Sequence, residues 1–381
     1  MALLIHNATI LDAKGRVDNA WVRTSGAFIT AIGSDDSWIA SDDDELVDAQ
    51  GQWLVPGFID LHVHGGGGHS FQDDGESIKK ALTVHRAHGT TRSLVSLITT
   101  PLEDLKRQLE RIAALKADDG LILGAHLEGP FLSTLHKGAH NPNFFIHPKA
   151  SNLERLLQAE SGAIRQITIA PELPGADKAI KRFVEAGVVV AVGHTDTDYE
   201  GALRAFDHGA RILTHGFNAM RGIHHRSPGP VLAAFDDERV TIELIADGIH
   251  VDPPVVSMAF KQAPERVALV TDAIAAAGSD DGTYDLGSLQ VEVTGNRAVI
   301  AGTDTIAGST LTQDAALAFA IETVGIQPST AIAALTQVPA RVLGLEEVFG
   351  LISVGYRADL VLLDQHWHAQ AVWADGKRLT G

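Results

Sequence analysis

Between residues 54 and 273 the chain alternates short apolar segments with segments of helical spacing. Continuous apolar strands that alternate with amphipathic helices are typical of a parallel sheet covered by helices. Eight such segments favour an α/β fold with a closed, TIM-like (β/α)8 barrel over an open sheet. The predicted barrel strands are 54–64, 91–99, 121–128, 164–171, 188–195, 210–217, 240–247 and 267–273.

Both ends of the chain are rich in strand-like segments. Short apolar runs separated by Asp, Gly and Ser fill the first 53 residues, and similar runs return at 358–363 and 369–373. We therefore expect residues 1–53 and 350–381 to form one small β-sandwich domain, and residues 54–349 to form the catalytic barrel domain. Two strand-like segments, 288–293 and 298–300, follow the eighth barrel strand, and helical spacing returns at 310–324 and 328–342.

The composition excludes several classes of protein and site. The formal net charge of -18 argues against binding to nucleic acid or to an anionic membrane surface. The chain has no cysteine, so any metal must be held by His, Asp or Glu. The first residues lack the pattern of a signal peptide, and no apolar run is long enough to span a bilayer. A cytoplasmic location is expected.

The predicted strand ends carry polar side chains. TIM-like barrels place their chemistry at the C-terminal ends of the strands. Six of the eight predicted strands end on a potential ligand or acid–base group. Because these six groups recur in phase with the strand repeat, they predict a metal-dependent site. These ends are His62-Val63-His64, His126-Leu127-Glu128, Gly193-His194-Thr195, Thr214-His215-Gly216, Asp247-Gly248-Ile249-His250 and Thr271-Asp272-Ala273.

Two groups of metal ligands can be assembled from these ends. Glu128, His194 and His215 supply three ligands from separate strands, which leaves a position open for water. His62 and His64 point to the same side of an extended strand and would complete a second group, with Glu128 able to bridge the two. The number of ions, one or two per subunit, stays open. Histidine and carboxylate ligands suit zinc first, and also iron, manganese or cobalt.

Asp272 ends the last predicted strand and has no cationic partner nearby in sequence. A divalent ion lowers the pKa of its water to near neutrality. Asp272 is therefore the predicted general base for that water and then the acid for a leaving nitrogen. The alternative is that Asp272 only caps the rim of the barrel.

This set of segments resembles the amidohydrolase superfamily, and within it the deacetylases of amino sugar phosphates. The segments that carry the resemblance are 56–65, 127–131, 137–142, 170–172, 193–195, 217–220, 247–250, 271–273 and 306–309. Many members of the superfamily bridge two metals with a carboxylated lysine at the end of strand four. Here that strand ends on Pro171 and Glu172, which counts against a dihydroorotase or a hydantoinase.

The resemblance implies a role for each matching residue. Glu128, His194 and His215 would hold the primary metal, Asp272 would be the catalytic acid–base, and His140 would stabilise the oxyanion that develops on the acetamido carbonyl. The implied contacts to a small amino sugar phosphate are Ala139, His140, Asn218, Ala219, Arg226, Asp247, His250, Ile306, Ala307 and Gly308.

Arg226 is expected to act on the substrate from a neighbouring subunit. The resemblance gives Arg226 a contact to the phosphate across an interface, which implies a homodimer. A dianionic phosphate near a chain of net charge -18 also needs a fixed cation, and a guanidinium suits phosphate geometry. His224 and His225 adjoin Arg226 in sequence, and their roles stay open.

The expected reaction is hydrolysis of an N-acetylhexosamine 6-phosphate to acetate and the amino sugar phosphate. N-acetylglucosamine 6-phosphate is the predicted substrate, and N-acetylgalactosamine 6-phosphate is the first alternative. Hydrolysis of another N-acyl or cyclic amide is the second alternative. A non-catalytic scaffold with the same fold is the third. It is disfavoured because Glu128, His194, His215 and Asp272 are all present.

Overall fold

Eight parallel strands lie side by side in chain order in the computed structural model, which describes residues 2–35, 37–42, 44–159 and 162–380. The sheet closes on itself because Val63 and Ala273 form a parallel bridge and Asp272 N donates to His62 O over 2.8 Å. The predicted (β/α)8 barrel is confirmed. Its strands are Phe58–Asp60, Thr90–Ile98, Ile122–Glu128, Ile164–Ile169, Val189–Val192, Ile212–Leu213, Thr241–Leu244 and Val267–Leu269.

Helices cover the outside of the barrel. Each buries an apolar face; in Leu102–Asp118, for example, Leu105, Leu109 and Ile112 are buried at helical spacing. The α-helices are Gly75–Ala87, Leu102–Asp118, Ala150–Leu157, Ala176–Glu185, Tyr199–Asp207, Gly229–Asp236, Pro253–Gln262, Gln313–Ala318, Pro328–Leu335 and Gln337–Val342. Two short 3-10 turns, Thr134–His136 and Pro142–Phe144, and a π-helical segment, Phe319–Thr323, complete the helical elements.

The two chain ends meet in one mixed sheet with its own apolar core, which includes Ile5, Val22, Leu360 and Trp373. N-terminal and C-terminal strands join where Trp53–Pro56 pairs antiparallel with Leu360–Leu363. The strands of this sheet are Leu3–Asp12, Gly15–Ser25, Phe28–Ser34, Glu45–Asp48, Trp53–Pro56, Leu360–Leu363, Ala369–Ala374 and Lys377–Thr380.

The first predicted barrel strand, 54–64, was wrong at its N-terminal end. Residues 54–56 belong to the terminal sheet, and the barrel strand begins at Phe58. Both segments are apolar and buried, so hydropathy alone does not separate them. Gly57 lies between them, and the side chain of Thr91 occupies the space that a Cβ atom at this position would need. The proposed domain borders, 1–53 with 350–381 and 54–349, stay a prediction.

A small three-stranded antiparallel sheet follows the eighth barrel strand and packs near its C-terminal end. It consists of Gly282–Leu286, Leu289–Thr294 and Arg297–Ile300, of which the sequence predicts only the last two. Its inner side chains share an apolar cluster with Ile98, Ile274 and Ala307. This sheet therefore forms one wall of the space above the barrel.

Across the described ranges, no helix combines the length and the apolar character that a membrane span requires. The cytoplasmic location stays a prediction.

Candidate active site

Three ligand atoms from three strands converge above the barrel axis. Glu128 is the last residue of its strand, whereas His194 and His215 lie two residues beyond theirs. Glu128 Oε1 is 2.9 Å from His194 Nε2 and 3.1 Å from His215 Nε2, and the two imidazole nitrogens are 3.0 Å apart. All three side chains are buried, so they form a compact set of donors facing one point.

A second group lies directly beside the first. His62 Nε2 is 3.0 Å from His64 Nε2, and Asp272 Oδ1 is 3.5 Å from His62 and 3.2 Å from His64. Glu128 reaches this group too, with Oε1 3.4 Å from His62 Nε2 and Oε2 3.3 Å from His64 Nε2. Glu128 thus stands between the groups, as a bridging carboxylate would, and Asp272 belongs to the second group as well as to the pocket.

The electrostatics of the cluster favour positive charge beside its carboxylates. Burial opposes the ionised form of Asp272, but the imidazoles of His62 and His64 outweigh it and lower the pKa of this carboxyl. Burial also opposes the ionised form of Glu128, but nearby imidazoles hold its pKa well below the usual range. The carboxylates of Asp272 and Glu128 in turn raise the pKa of His62, despite its burial.

Both groups fit a divalent metal ion. Within each group, one ligand atom per residue lies within 4.8 Å of the others. His194 Nδ1 donates to the carbonyl of His136 over 2.9 Å, which leaves its Nε2 lone pair facing Glu128. Imidazole nitrogens with free lone pairs around ionised carboxylates are the donor set that borderline divalent metals prefer.

His140 offers a hydrogen-bond donor to the same space. The backbone N of Thr99 donates to His140 Nδ1 over 3.3 Å, so the ring proton of neutral His140 is on Nε2. Burial lowers the pKa of His140 to about 4, despite the nearby carboxylate of Glu128. At neutral pH, His140 therefore presents an Nε2–H, which lies 3.1 Å from Glu128 Oε2.

A cavity of about 420 Å³ opens above the two groups. This volume falls within the range of small-molecule sites. The structure brings most of the predicted site residues to its wall; these are His64, Glu128, Ala139, His140, His194, His215, Asn218, Ala219, His250, Asp272, Ile306 and Gly308.

Two predicted contact residues lie behind the wall. Asp247 Oδ2 accepts from His250 Nδ1 over 2.7 Å, so it orients His250, whose Nε2 is left for the pocket. Ala307 is fully buried in the apolar cluster under the small sheet. Their roles in substrate binding stay predictions.

Arg226 lies on an exposed loop, outside the cavity wall of the single chain. Its guanidinium donates to His225 Nε2 over 2.8 Å, and its backbone N donates to His224 Nδ1 over 3.3 Å. The two histidines thus contact Arg226 rather than the cavity. The cross-subunit role of Arg226 stays a prediction.

The sequence interpretation missed three residues of the site. Lys137 is the only lysine or arginine among the described wall residues, and it lies inside a segment that carries the family resemblance. His136 also lines the cavity, and its Nε2 contacts Asp196 Oδ1 at 3.0 Å. Glu243 lies beneath the second group, in an apolar strand that gave no sign of a polar role.

The sequence matches the amidohydrolase family over residues 53–378. The chain therefore belongs to the amidohydrolase family, as the fold and the strand-end ligands indicate.

Within that family, the chain is similar to several amino sugar phosphate deacetylases. The chain is 36% identical over 381 residues to N-acetylgalactosamine-6-phosphate deacetylase of Escherichia coli, covering 99% of each chain. It is 35% identical to N-acetylglucosamine-6-phosphate deacetylase of Bos taurus, covering 88% of this chain and 85% of the relative. A solved mutant of the Mycobacterium smegmatis N-acetyl-D-glucosamine-6-phosphate deacetylase, in complex with N-acetyl-D-glucosamine-6-phosphate, is 41% identical, with a TM-score of 0.93 and coverage of 100% and 99%.

Proposed function

We propose that this chain hydrolyses N-acetyl-D-glucosamine 6-phosphate to D-glucosamine 6-phosphate and acetate. The observation that carries the proposal is the ligand group Glu128–His194–His215 beside the carboxylate of Asp272 in one cavity. The deacetylase names of its relatives supply the substrate class. The reaction would belong to the catabolism of amino sugars.

Glu128, His194 and His215 would hold one divalent ion, and His62, His64 and Asp272 a second, with Glu128 between them. Zinc suits these ligands, and iron, manganese and cobalt are the alternatives. When bound, such an ion acts as a Lewis acid and makes water a nucleophile near neutral pH.

Asp272 would move the proton. The direction of its pKa shift keeps the side chain ionised at neutral pH, and a carboxylate in this place can accept a proton from the attacking water. The water oxygen bonds to the acetamide carbon, and Asp272 then returns the proton to the nitrogen as the C–N bond breaks. Because His140 carries its ring proton on Nε2, it would donate to the carbonyl oxygen as negative charge develops there.

The phosphate would be held by groups of the cavity wall that are not metal ligands. Asn218, Ala219 and His250 line that wall, and Lys137 adds a cation from the same chain. We propose that Arg226 adds a second cation from the partner in a homodimer, since its loop is exposed. Guanidinium and ammonium groups would offset the repulsion between a phosphate dianion and a chain of net charge -18.

The galactosamine epimer is the second candidate substrate. It is favoured by the Escherichia coli relative, which matches 99% of this chain and is named for N-acetylgalactosamine 6-phosphate.

The test is acetate release by the purified protein, with metal content measured on the same sample. The substrates are the 6-phosphates of N-acetylglucosamine and N-acetylgalactosamine, with free N-acetylglucosamine as the control. We expect turnover of a phosphorylated sugar far above that of the free one, and loss of turnover after chelation. The faster epimer names the substrate. A metal-loaded protein that releases no acetate from any of them would overturn the proposal.

A further inference from the structure

A carboxylate lies buried inside the barrel, one layer below the ligand groups. Glu243 belongs to the strand Thr241–Leu244, and its side chain is completely buried. In the described part of the chain its only basic partner within 4 Å is His62. Because a buried carboxylate costs free energy unless it is hydrogen-bonded, its contacts indicate what keeps it there.

Glu243 contacts both ligand groups from below. Its Oε2 is 3.4 Å from His62 Nδ1, and the backbone N of His215 donates to the same oxygen over 3.4 Å. Its Oε1 accepts from Gln166 Nε2 over 2.8 Å. One oxygen thus faces the site, and the other is held by a neighbouring strand.

The contact with His62 determines how its ring is used. An ionised carboxylate only accepts hydrogen bonds, so His62 must carry a proton on Nδ1 to bond Glu243, and as a metal ligand it would carry no other ring proton. The lone pair is then on Nε2, which faces His64 and Asp272. Metal-binding histidines commonly donate their second nitrogen to a carboxylate in this way, which fixes the ring and makes it a better ligand.

The other histidines of the two groups have no such carboxylate partner. His194 Nδ1 donates to a backbone carbonyl. Among the described residues, His64 Nδ1 and His215 Nδ1 are buried without a hydrogen-bond partner. In the described part of the chain, Glu243 is therefore the only residue that contacts an imidazole Nδ1 of the group His62–His64–Asp272.

We propose that Glu243 is a positioning residue that prepares His62 for a second divalent ion. By accepting the Nδ1 proton of His62, it presents Nε2 to the ion that His64 and Asp272 would share. The group Glu128–His194–His215 meets the Glu243 side chain only through the backbone N of His215, so none of its ligand atoms is oriented by the contact with His62. The inference rests on the proposed metal-dependent function, but metal binding can be measured without turnover.

The experiment compares Glu243→Gln and Glu243→Leu with Gln166→Leu. Gln166→Leu is the matched control, because it removes a different hydrogen-bond partner of Glu243 and leaves the contact with His62 in place. Metal-free proteins are titrated with Zn²⁺ and with Co²⁺, and bound metal is measured together with the visible spectrum of cobalt. Urea unfolding shows which variants are folded.

For Glu243→Gln we expect the second ion to bind about 10–100-fold more weakly, with the first ion unaffected. In Glu243→Leu, bound metal should fall from two ions per chain to one. Gln166→Leu should bind both ions as the natural protein does. If Glu243→Leu does not fold, the Glu243→Gln titration decides.

Three results would overturn the inference. They are a natural protein that holds a single ion, Glu243 variants that bind two ions with unchanged affinity, and a Gln166→Leu variant that loses the second ion equally. A protein that binds two ions but releases no acetate would overturn the proposed function and leave the role of Glu243 intact.

Discussion

Three residues of the two ligand groups have a left-handed backbone. The φ angles are 46° for His194, 29° for His215 and 48° for Asp272. Such a conformation costs a non-glycine residue on the order of 1–3 kcal/mol, so surrounding contacts must enforce it. Next to His215, Gly216 N donates to Glu243 O over 2.7 Å, and Asp272 N donates to His62 O over 2.8 Å. Neighbouring strands thus turn these side chains toward the cavity.

Asp272→Asn tests the acid–base role. The amide keeps the size of the side chain but cannot accept and return a proton, so we expect kcat to fall by about 10²–10⁴-fold. The group Glu128–His194–His215 should still bind its ion, because Asp272 is not a member of it. Acetate release and metal content are measured together.

Asp247→Asn is the control for Asp272→Asn, because Asp247 contacts His250 from behind the cavity wall. It should raise KM more than it lowers kcat. An Asp272→Asn variant with the turnover of the natural protein would remove the proposed role.

At the scale of elements, a buried arginine joins the barrel to the terminal sheet. Arg92, on the strand Thr90–Ile98, donates from Nε to Asp359 Oδ2 over 2.6 Å and from Nη2 to Asp359 Oδ1 over 2.9 Å. It also pairs with Asp375 and donates to the carbonyl of Gly120. Because Arg92 and Asp359 are both almost fully buried, each needs the other to offset the loss of water.

Arg92→Met should lower the free energy of unfolding by about 3–5 kcal/mol, because it leaves the carboxylate of Asp359 buried without its partner. Urea unfolding measures the change. Arg155→Met is the control, since the Arg155–Glu103 pair is about half exposed and its loss should cost less than about 1 kcal/mol. Similar losses in both variants would show that burial does not matter here. Adding Asp359→Leu to Arg92→Met should recover part of the loss.

A second contact between elements depends on pH. His88, at the end of the helix Gly75–Ala87, lies 3.0 Å from the buried carboxylate of Asp314. That contact raises the pKa of His88 despite its partial burial. Although burial opposes it, His88 in turn lowers the pKa of Asp314.

The pair should therefore stabilise the fold most between the ordinary pKa values of aspartate and histidine, roughly pH 4 to 6.5. The contribution is lost as the pH rises through the raised pKa of His88, and also as it falls through the lowered pKa of Asp314. Because His88 is 40% exposed, His88→Gln should cost no more than about 1 kcal/mol at pH 6 and almost nothing at pH 9. Urea unfolding at both pH values gives the difference.

His208→Gln is the control for His88→Gln, since its partner Asp177 is 57% exposed and 3.7 Å away. If His88→Gln lowered the free energy of unfolding equally at both pH values, the proposed pH-dependent pair of His88 and Asp314 would be contradicted.

At the scale of the whole molecule, the phosphate subsite is proposed to need two chains. A chain that carries Arg226→Ala is co-expressed with a chain that carries Asp272→Asn, each with a different tag, so that mixed dimers form. If Arg226 acts across the interface, one site in each mixed dimer has both residues. The mixture should then recover roughly a quarter of the natural activity toward the phosphorylated sugar.

Glu128→Gln mixed with Asp272→Asn is the control, because both residues act in their own chain and no site regains both. Recovery only in the control, or in neither mixture, would contradict an arginine supplied by the partner. The oligomeric state is measured on the same samples.

Much of this arrangement could be predicted from local patterns. Apolar strands recur with helical segments between them, so the barrel and the strand-end ligands His62, His64, Glu128, His194 and His215 follow from position in the repeat. Glu243 could not be predicted in this way. It lies inside an apolar strand, and nothing in its neighbours shows that its side chain faces the barrel interior below His62.

The class of fold and the chemical character of the site follow from local sequence patterns, because both depend on periodic hydropathy and on residue type at strand ends. Which side chains meet depends on the folded chain. Asp272 has no partner near it in sequence, yet it lies 3.2 Å from His64 because the first and last strands close the barrel. Arg92 and Asp359, 267 residues apart, likewise meet only where barrel and terminal sheet pack. Such contacts depend on closure of the whole chain, which no local pattern encodes.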